Sequence, residues 1–222
     1  MRFTILAFLL VSLAGLSAQV DSLTTFQVGL GGGQYFSSGS FSFLPNRAAG
    51  IRTLAGPQFG VGVRYFNRRS IGFIAELNYS SGGWREEINE ISNGDTLTGN
   101  YDRELAFAEI QLITQLAVGR KRFRPLLEFG PFLAIPVQDQ ETLPTNVTVP
   151  TGEYYFGLDI GSRLNYGIII GGGVYIDLGK AGLQLSGRYL TGVRDTIQPG
   201  NNGVTTSRRE AFGWRTTIWV EL

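Results

Sequence analysis

A chain of 222 residues with 19 basic and 18 acidic side chains carries almost no net charge, so there is no electrostatic case for binding nucleic acid or an anionic surface. It contains no Cys and no His, which excludes disulfide scaffolding, thiol chemistry and every mechanism that needs an imidazole, and leaves zinc and copper without their usual ligands. Glycine is abundant, at 31 residues, and aromatic residues make up 12%.

The N-terminal stretch MRFTILAFLLVSLAGLSA carries Arg2, an apolar run from Ile5 to Val11 and then small residues. That is the build of a secretory signal peptide, expected to occupy 1–18 and to be cleaved after Ala18. Its apolar run is shorter than the roughly 20 residues needed to span a bilayer as a helix. No later stretch of 18 or more apolar residues occurs, so a helical membrane protein is excluded. The remaining chain, 19–222, has 18 basic and 18 acidic residues and reads as one domain. A secreted chain of this composition is either a soluble β-sandwich or barrel, or an outer-membrane barrel.

Eight segments show period-two alternation over about ten or more residues, the length a tilted membrane strand needs. The first, about 25–36, sets Phe26, Val28 and Leu30 against Gln27, Gly29 and Gly31. The second, about 54–66, sets Phe59, Val61, Val63 and Tyr65 against Gln58, Gly60, Gly62 and Arg64. The third, about 71–84, opposes Phe73, Ala75 and Leu77 to Ile74, Glu76 and Asn78. The fourth, about 103–119, opposes Ile110, Leu112 and Leu116 to Glu109, Gln111 and Gln115. The fifth, about 124–137, opposes Leu127, Phe129 and Leu133 to Glu128, Gly130 and Ala134, with Pro131 expected at a bulge or irregular pairing. The sixth, about 164–178, opposes Ile168, Ile170 and Val174 to Gly171, Gly173 and Asp177. The seventh, about 182–194, opposes Leu183, Leu185 and Tyr189 to Gln184, Ser186 and Arg188. The last, about 211–222, opposes Phe212, Trp214, Ile218 and Val220 to Gly213, Arg215 and Glu221.

The connections alternate in length. NRRS, GRKRF and GKAG are short, whereas the stretches near 37–53, 85–102, 138–163 and 195–210 are long and polar. Outer-membrane barrels sort their connections in this way, with short turns in the periplasm and long loops outside. An even strand count then places both termini in the periplasm. The SNGD stretch, Ser92 to Asp95, reads as a turn at the tip of extended strands. The expected architecture is all-β: an eight-stranded antiparallel, transmembrane up-and-down barrel with short periplasmic turns and long extracellular loops. The apolar face of each strand meets lipid, because exposing it to water is costly. Phe66, Trp84, Phe123, Tyr189 and Trp219, near strand ends, are candidates for the interfacial aromatic girdles.

Motifs for chemistry are sparse. GGGVYIDLGKAG resembles a phosphate loop, but Gly173 to Gly179 is one residue too long and Ala181 stands where the magnesium-binding hydroxyl belongs. REEINEISNGD and QDQE are acidic, yet neither has the spacing of a calcium cradle. No catalytic, cofactor-binding or metal-binding residues are expected, and no cofactor. What remains is the charge on the polar face. Glu76, Glu128, Arg188 and Arg215 each lie about seven residues from the nearest periplasmic turn or end, hence at similar depth. Together with Arg64, Glu109 and Asp177 they are expected to form a charge-paired network that fills the lumen, because small barrels fill their interiors with side chains and buried charges must be paired. Carboxylate-only catalysis by Glu76, Glu109 and Glu128 is the weaker alternative.

Three stretches, FAEIQLITQLAVG, FRPLLEFGPFLAIPV and YGIIIGGGVYIDLGKAGLQLSGRYLTGV, resemble the small outer-membrane β-barrel domain family that includes PorT-like proteins. The counterparts of the family's motifs are Glu109-Ile110-Gln111-Leu112, Arg124-Pro125, Gly171 to Gly173 and Arg188-Tyr189, with Gln111 replacing a usual Pro and Leu126 a common aromatic. The resemblance implies outer-membrane location and barrel architecture in a Gram-negative bacterium, and it supplies no shared catalytic residue. The expected function is non-enzymatic: a monomeric, membrane-anchored structural or interaction module, in contact with outer-membrane lipid and open to a periplasmic or surface protein partner. Insertion would use the outer-membrane assembly machinery, to which the terminal TTIWVEL is suited. A narrow ion or small-solute channel, a barrel enzyme acting on lipid or peptide and a soluble secreted barrel are the alternatives.

Overall fold

The computed structural model describes residues 24–43, 50–67, 70–92, 95–118, 122–145, 147–148, 156–158, 164–197 and 204–222. The expected signal peptide lies outside these residues. Eight strands follow one another: β1 (Thr24–Phe43), β2 (Ile51–Asn67), β3 (Ile71–Ser92), β4 (Asp95–Ala117), β5 (Phe123–Thr142), β6 (Asn165–Asp177), β7 (Ala181–Asp195) and β8 (Val204–Glu221). Each pairs antiparallel with its sequence neighbour, and β8 pairs antiparallel with β1, which closes the barrel. The seam runs from Gln27↔Glu221 upward, and Leu222 N donates to Phe26 O at 3.0 Å below it. Closure leaves no unpaired edge, a condition for a sheet in lipid, where nothing else can satisfy backbone N–H and C=O groups.

The two faces of the wall follow the period-two pattern. Phe26, Leu30, Val61, Leu77, Ile110 and Leu127 are among the many apolar side chains that point outward and are exposed. Buried inside are Gln27, Arg64, Glu76, Glu109, Gln115, Glu128, Arg188 and Arg215. An apolar exterior around a polar, charged interior inverts the order of a water-soluble barrel and matches that of a membrane barrel.

The short turn that is fully described, GKAG, is as the sequence suggests. Leu178 N donates to Ala181 O at 2.9 Å, Gly179 takes φ +92° and Lys180 is exposed at the tip. A glycine suits Gly179 because L side chains rarely adopt that backbone angle.

The opposite rim corrects the expected boundaries. The stretch 85–102 is strand rather than loop: β3 and β4 stay paired to Ser92↔Asp95, with Asn93 and Gly94 between them outside the described residues. Likewise β1 reaches Phe43, β5 reaches Thr142 and β8 begins at Val204. Alternation continues in this extension, but its outward positions, Arg85, Glu87 and Asn89 on β3 and Glu104 and Asn100 on β4, are polar and exposed. The apolar band that marks a membrane strand ends where lipid ends, so the strands outrun it.

Two further expectations are corrected. Trp84 and Trp219 do not join an outer girdle; they point inward with 2% and 0% exposure. Phe123 and Tyr189 do face outward, at 62% and 40% exposure. Pro131 stands at irregular pairing, as expected, though not at a bulge: the β4–β5 ladder is interrupted between Gln111↔Phe132 and Thr114↔Phe129 and resumes in the same register. The shift in this hairpin falls between Ala106 and Phe107, opposite Gln138 and Pro136.

Candidate functional site

The lumen is built by parity. On each strand alternate residues point in, and glycines leave space for the largest of them. At Gly29 a Cβ would lie 2.5 Å from the Trp219 ring, and at Gly31 2.7 Å from Arg215 Nε. At Gly171 it would lie 3.0 Å from Arg188 Cγ. Gly29, Gly31 and Gly171 therefore make room for an arginine or tryptophan on the neighbouring strand.

Arg188 occupies the centre. It is fully buried on β7 and bridges two carboxylates, Glu76 from β3 directly across the ring and Glu128 from β5. Nε and Nη2 donate to Glu128 at 2.8 and 3.1 Å. Nη1 and Nη2 donate to Glu76 at 2.7 and 3.2 Å, and Nη1 also reaches Gln111 Oε1 at 3.2 Å. Glu76 accepts further from Asn78 Nδ2 at 3.2 Å, and Glu128 from Gln115 and Gln184 at 3.1 and 2.7 Å. Arg215 approaches Glu76 at 3.8 Å and donates to Asn78 Oδ1 at 2.7 Å and Thr217 Oγ1 at 3.0 Å. Burying such charges is tolerable only when each is paired and its remaining hydrogen-bonding positions are filled, and this cluster does both for Glu76 and Glu128.

The other expected members sit elsewhere. Arg64, one level nearer the periplasm, is held by amides: Gln27 accepts from it, as do Gln115 at 3.3 Å and Gln184 at 3.2 Å. Its guanidinium lies 4.4 Å from the Tyr175 ring centroid and 4.6 Å from that of Trp219, a cation sandwiched by two π faces. Asp177 is outside the central cluster. It lies at the periplasmic end, accepts from Arg124 Nη2 at 3.1 Å and from Gly179 N at 3.0 Å, and so secures the β6–β7 turn. Glu109 lies above the centre and pairs with Arg209 at 2.5 Å; Ser80 also donates to it.

Arg209 and the amides Gln27, Gln115 and Gln184 are the members that sequence reasoning passed over. A signal for Arg209 existed: it lies six residues from Arg215 on the same strand and so on the same face. The sequence reads it as loop because the apolar alternation of β8 starts only at about 211.

Above the bilayer the extension has a core of its own. Trp84, Tyr101, Leu105 and Ile197 are buried there, and Phe156, from the β5–β6 connection, packs edge-on against Tyr101 with centroids 4.8 Å apart. Tyr101 Oη and Gly157 N both donate to Glu141 Oε1, at 2.6 and 2.7 Å. Arg103 pairs with Asp139 at 2.6 Å and donates to Leu158 O. Burial, reinforced by the bond to Glu141, pushes the Tyr101 hydroxyl well above the usual tyrosine range. These contacts fold residues 156–158 over the mouth.

Among the described residues no cluster of three or more acidic side chains is arranged to hold a metal ion. A closed, eight-stranded wall with a lipid-facing apolar exterior and an ion-paired lumen defines a small outer-membrane barrel. The chain belongs to the outer membrane protein beta-barrel domain family, whose model matches residues 17–198, and its place is the outer membrane. Among solved structures, OprG of Pseudomonas aeruginosa is similar with a TM-score of 0.51 at 9% identity, covering 89% of this chain and 96% of that one. Neisserial surface protein A is similar at 13% identity and a TM-score of 0.48, covering 90% and 99%. The Yersinia pestis attachment invasion locus protein Ail gives 10% identity and a TM-score of 0.37, covering 89% and 99%. No curated protein matches the chain in sequence.

Proposed function

We propose that the protein is a non-conducting, non-enzymatic anchor of the outer membrane that presents its two ends to partners. The observation that carries this reading is Arg188, fully buried and bonded to Glu76 and Glu128 across the lumen. An eight-stranded barrel has little bore to begin with, and a side-chain bridge across it leaves no open path. The charged residues are each engaged with partners in the wall, which favours a structural role for Glu76, Glu109 and Glu128 over acid–base catalysis. The PorT-like affiliation belongs to the same reading and rests on Glu109-Ile110-Gln111-Leu112, Arg124-Pro125 and Arg188-Tyr189.

Two surfaces are offered to partners. Outside, the strand extension and the segment 156–158 form a packed platform rather than loose loops. On the periplasmic side the short connections carry Arg68, Arg69, Arg120, Lys121, Arg122 and Lys180 in sequence and no acidic residue, which favours an acidic partner surface. The barrel works as a monomer, inserted by the outer-membrane assembly machinery.

Planar-bilayer recording of the refolded protein tests the closed lumen: silence is expected, and stable unitary steps would replace this reading with a narrow channel. The absence of native Cys makes single-cysteine crosslinking clean. A cysteine at Lys180 and another at Thr98 should each capture a discrete partner in intact cells. Failure of both ends to crosslink to any protein would remove the interaction role.

A further inference from the structure

Above the Arg188 cluster, a second tier of buried side chains has hydrogen bonds left unmade. Arg209 crosses from β8, giving Nη2 to Glu109 at 2.5 Å and to Ser80 at 3.1 Å, with its guanidinium 4.0 Å from the Phe107 ring centroid. Its Nε and Nη1 meet no protein acceptor. Arg215 spends Nε on Thr217 and Nη1 on Asn78, and its Nη2 has no acceptor. The Tyr35 hydroxyl is unpartnered, and both polar atoms of the Gln58 amide are too. All four residues are at most 5% exposed, so bulk water does not serve them.

These groups share one part of the wall. Tyr35 pairs with Gly213, two residues from Arg215 on β8. Gln58 pairs with Gly33, two residues from Tyr35 on β1, and on its other side with Ser80, which binds Arg209. The tier is therefore a contiguous patch spanning β8, β1, β2 and β3.

The unmade bonds are chiefly donors: Arg209 Nε and Nη1, Arg215 Nη2, Gln58 Nε2 and the Tyr35 hydroxyl, against the single amide oxygen Gln58 Oε1. Charge leans the same way. Two of these residues are cationic: Arg209 and Arg215 both carry spare N–H groups, while the carboxylates beside them are already engaged, Glu109 by Arg209, Ser80 and Gln111 and Glu76 by Arg188 and Asn78. Buried polar groups are rarely left unpaired, and the spare donors of a buried guanidinium are met most strongly by an acceptor that itself carries charge. Water would supply acceptors but no charge.

We propose that this tier binds one small monovalent anion of halide size, occluded between Arg209, Arg215 and Tyr35. Trp84 and the Arg103–Asp139 pair lie over it toward the mouth, so the anion is a resident part of the folded barrel. A ligand bound only by the folded state stabilises it in proportion to the logarithm of its concentration once that exceeds Kd.

The test uses the full barrel in detergent. Crystals grown in sodium bromide should give an anomalous peak in contact with Arg209 and the Tyr35 hydroxyl. The melting temperature should rise with chloride relative to gluconate at equal ionic strength. Arg209→Gln should abolish that difference. Tyr35→Phe, which keeps every charge, should raise the chloride needed for half the effect by about tenfold. If Arg209→Gln fails to fold, Tyr35→Phe decides by itself. Water alone in the tier of bromide crystals, or a wild-type melting temperature indifferent to chloride against gluconate, would overturn the proposal.

Discussion

Replacing Arg188 with methionine keeps much of the side-chain volume and removes the charge. Arg188 makes five hydrogen bonds across the lumen, four of them to Glu76 and Glu128, all between fully buried groups. Breaking one buried ion pair by deleting a partner typically costs about 3–5 kcal/mol, because the surviving charge is left uncompensated. Here two carboxylates are stranded, so a loss at or above that range is expected. That is a large share of an ordinary folding free energy of about 5–15 kcal/mol. The companion variant Arg188→Met/Glu76→Gln/Glu128→Gln removes the stranded charges, and most of the loss should return, since neutral replacements of buried ion pairs are often close to isoenergetic. Equilibrium urea unfolding in lipid vesicles, followed by the fluorescence of Trp84, Trp214 and Trp219, measures both variants. The reasoning is refuted if Arg188→Met unfolds within about 1 kcal/mol of the wild type, or if the triple variant is no more stable than the single one.

Three other outcomes are expected. Gly29→Ala puts a methyl 2.5 Å from the Trp219 ring and should cost about 1–3 kcal/mol in the same urea assay, with partial relief when Trp219→Leu is added; an unchanged midpoint would mean the ring has room. Tyr101 has a raised folded pKa, so the stability it lends is complete below its unfolded value of about 10 and is lost as pH rises through that value toward the folded one. Phenolate absorbance should show a tyrosine that titrates late, and Tyr101→Phe should abolish the alkaline loosening of the mouth. Glu141→Leu removes the acceptor shared by Tyr101 and Gly157, so an external protease on intact cells should cleave the β5–β6 connection several-fold faster; equal rates would show that Glu141 does not hold segment 156–158 down.

The class of this protein was legible residue by residue. Side chains alternate across a strand, so Val61 and Val63 declare one face and Arg64 and Gln58 the other, whatever the rest of the chain does. That is enough to turn an apolar surface outward, to bring charges in and to read Gly171 and Gly173 as wall rather than phosphate loop. Composition alone removed imidazole and thiol chemistry. Local sequence does not say who meets whom across a closed ring. Glu109 finds Arg209 100 residues away, and Arg188 finds Glu76 at a separation of 112, because closure and stagger bring those strands to one level. Trp84 and Trp219 share the parity of Glu76 and Arg215, so the backbone itself turns them inward, whereas closure gave Arg64 its amides and aromatic faces. The extension of β3 and β4 escaped notice for a related reason: the apolar signal comes from lipid contact, while pairing between strands continues beyond it. Parity is a property of the backbone and is written in sequence, whereas partnership across the lumen is a property of the ring and exists only once it has closed.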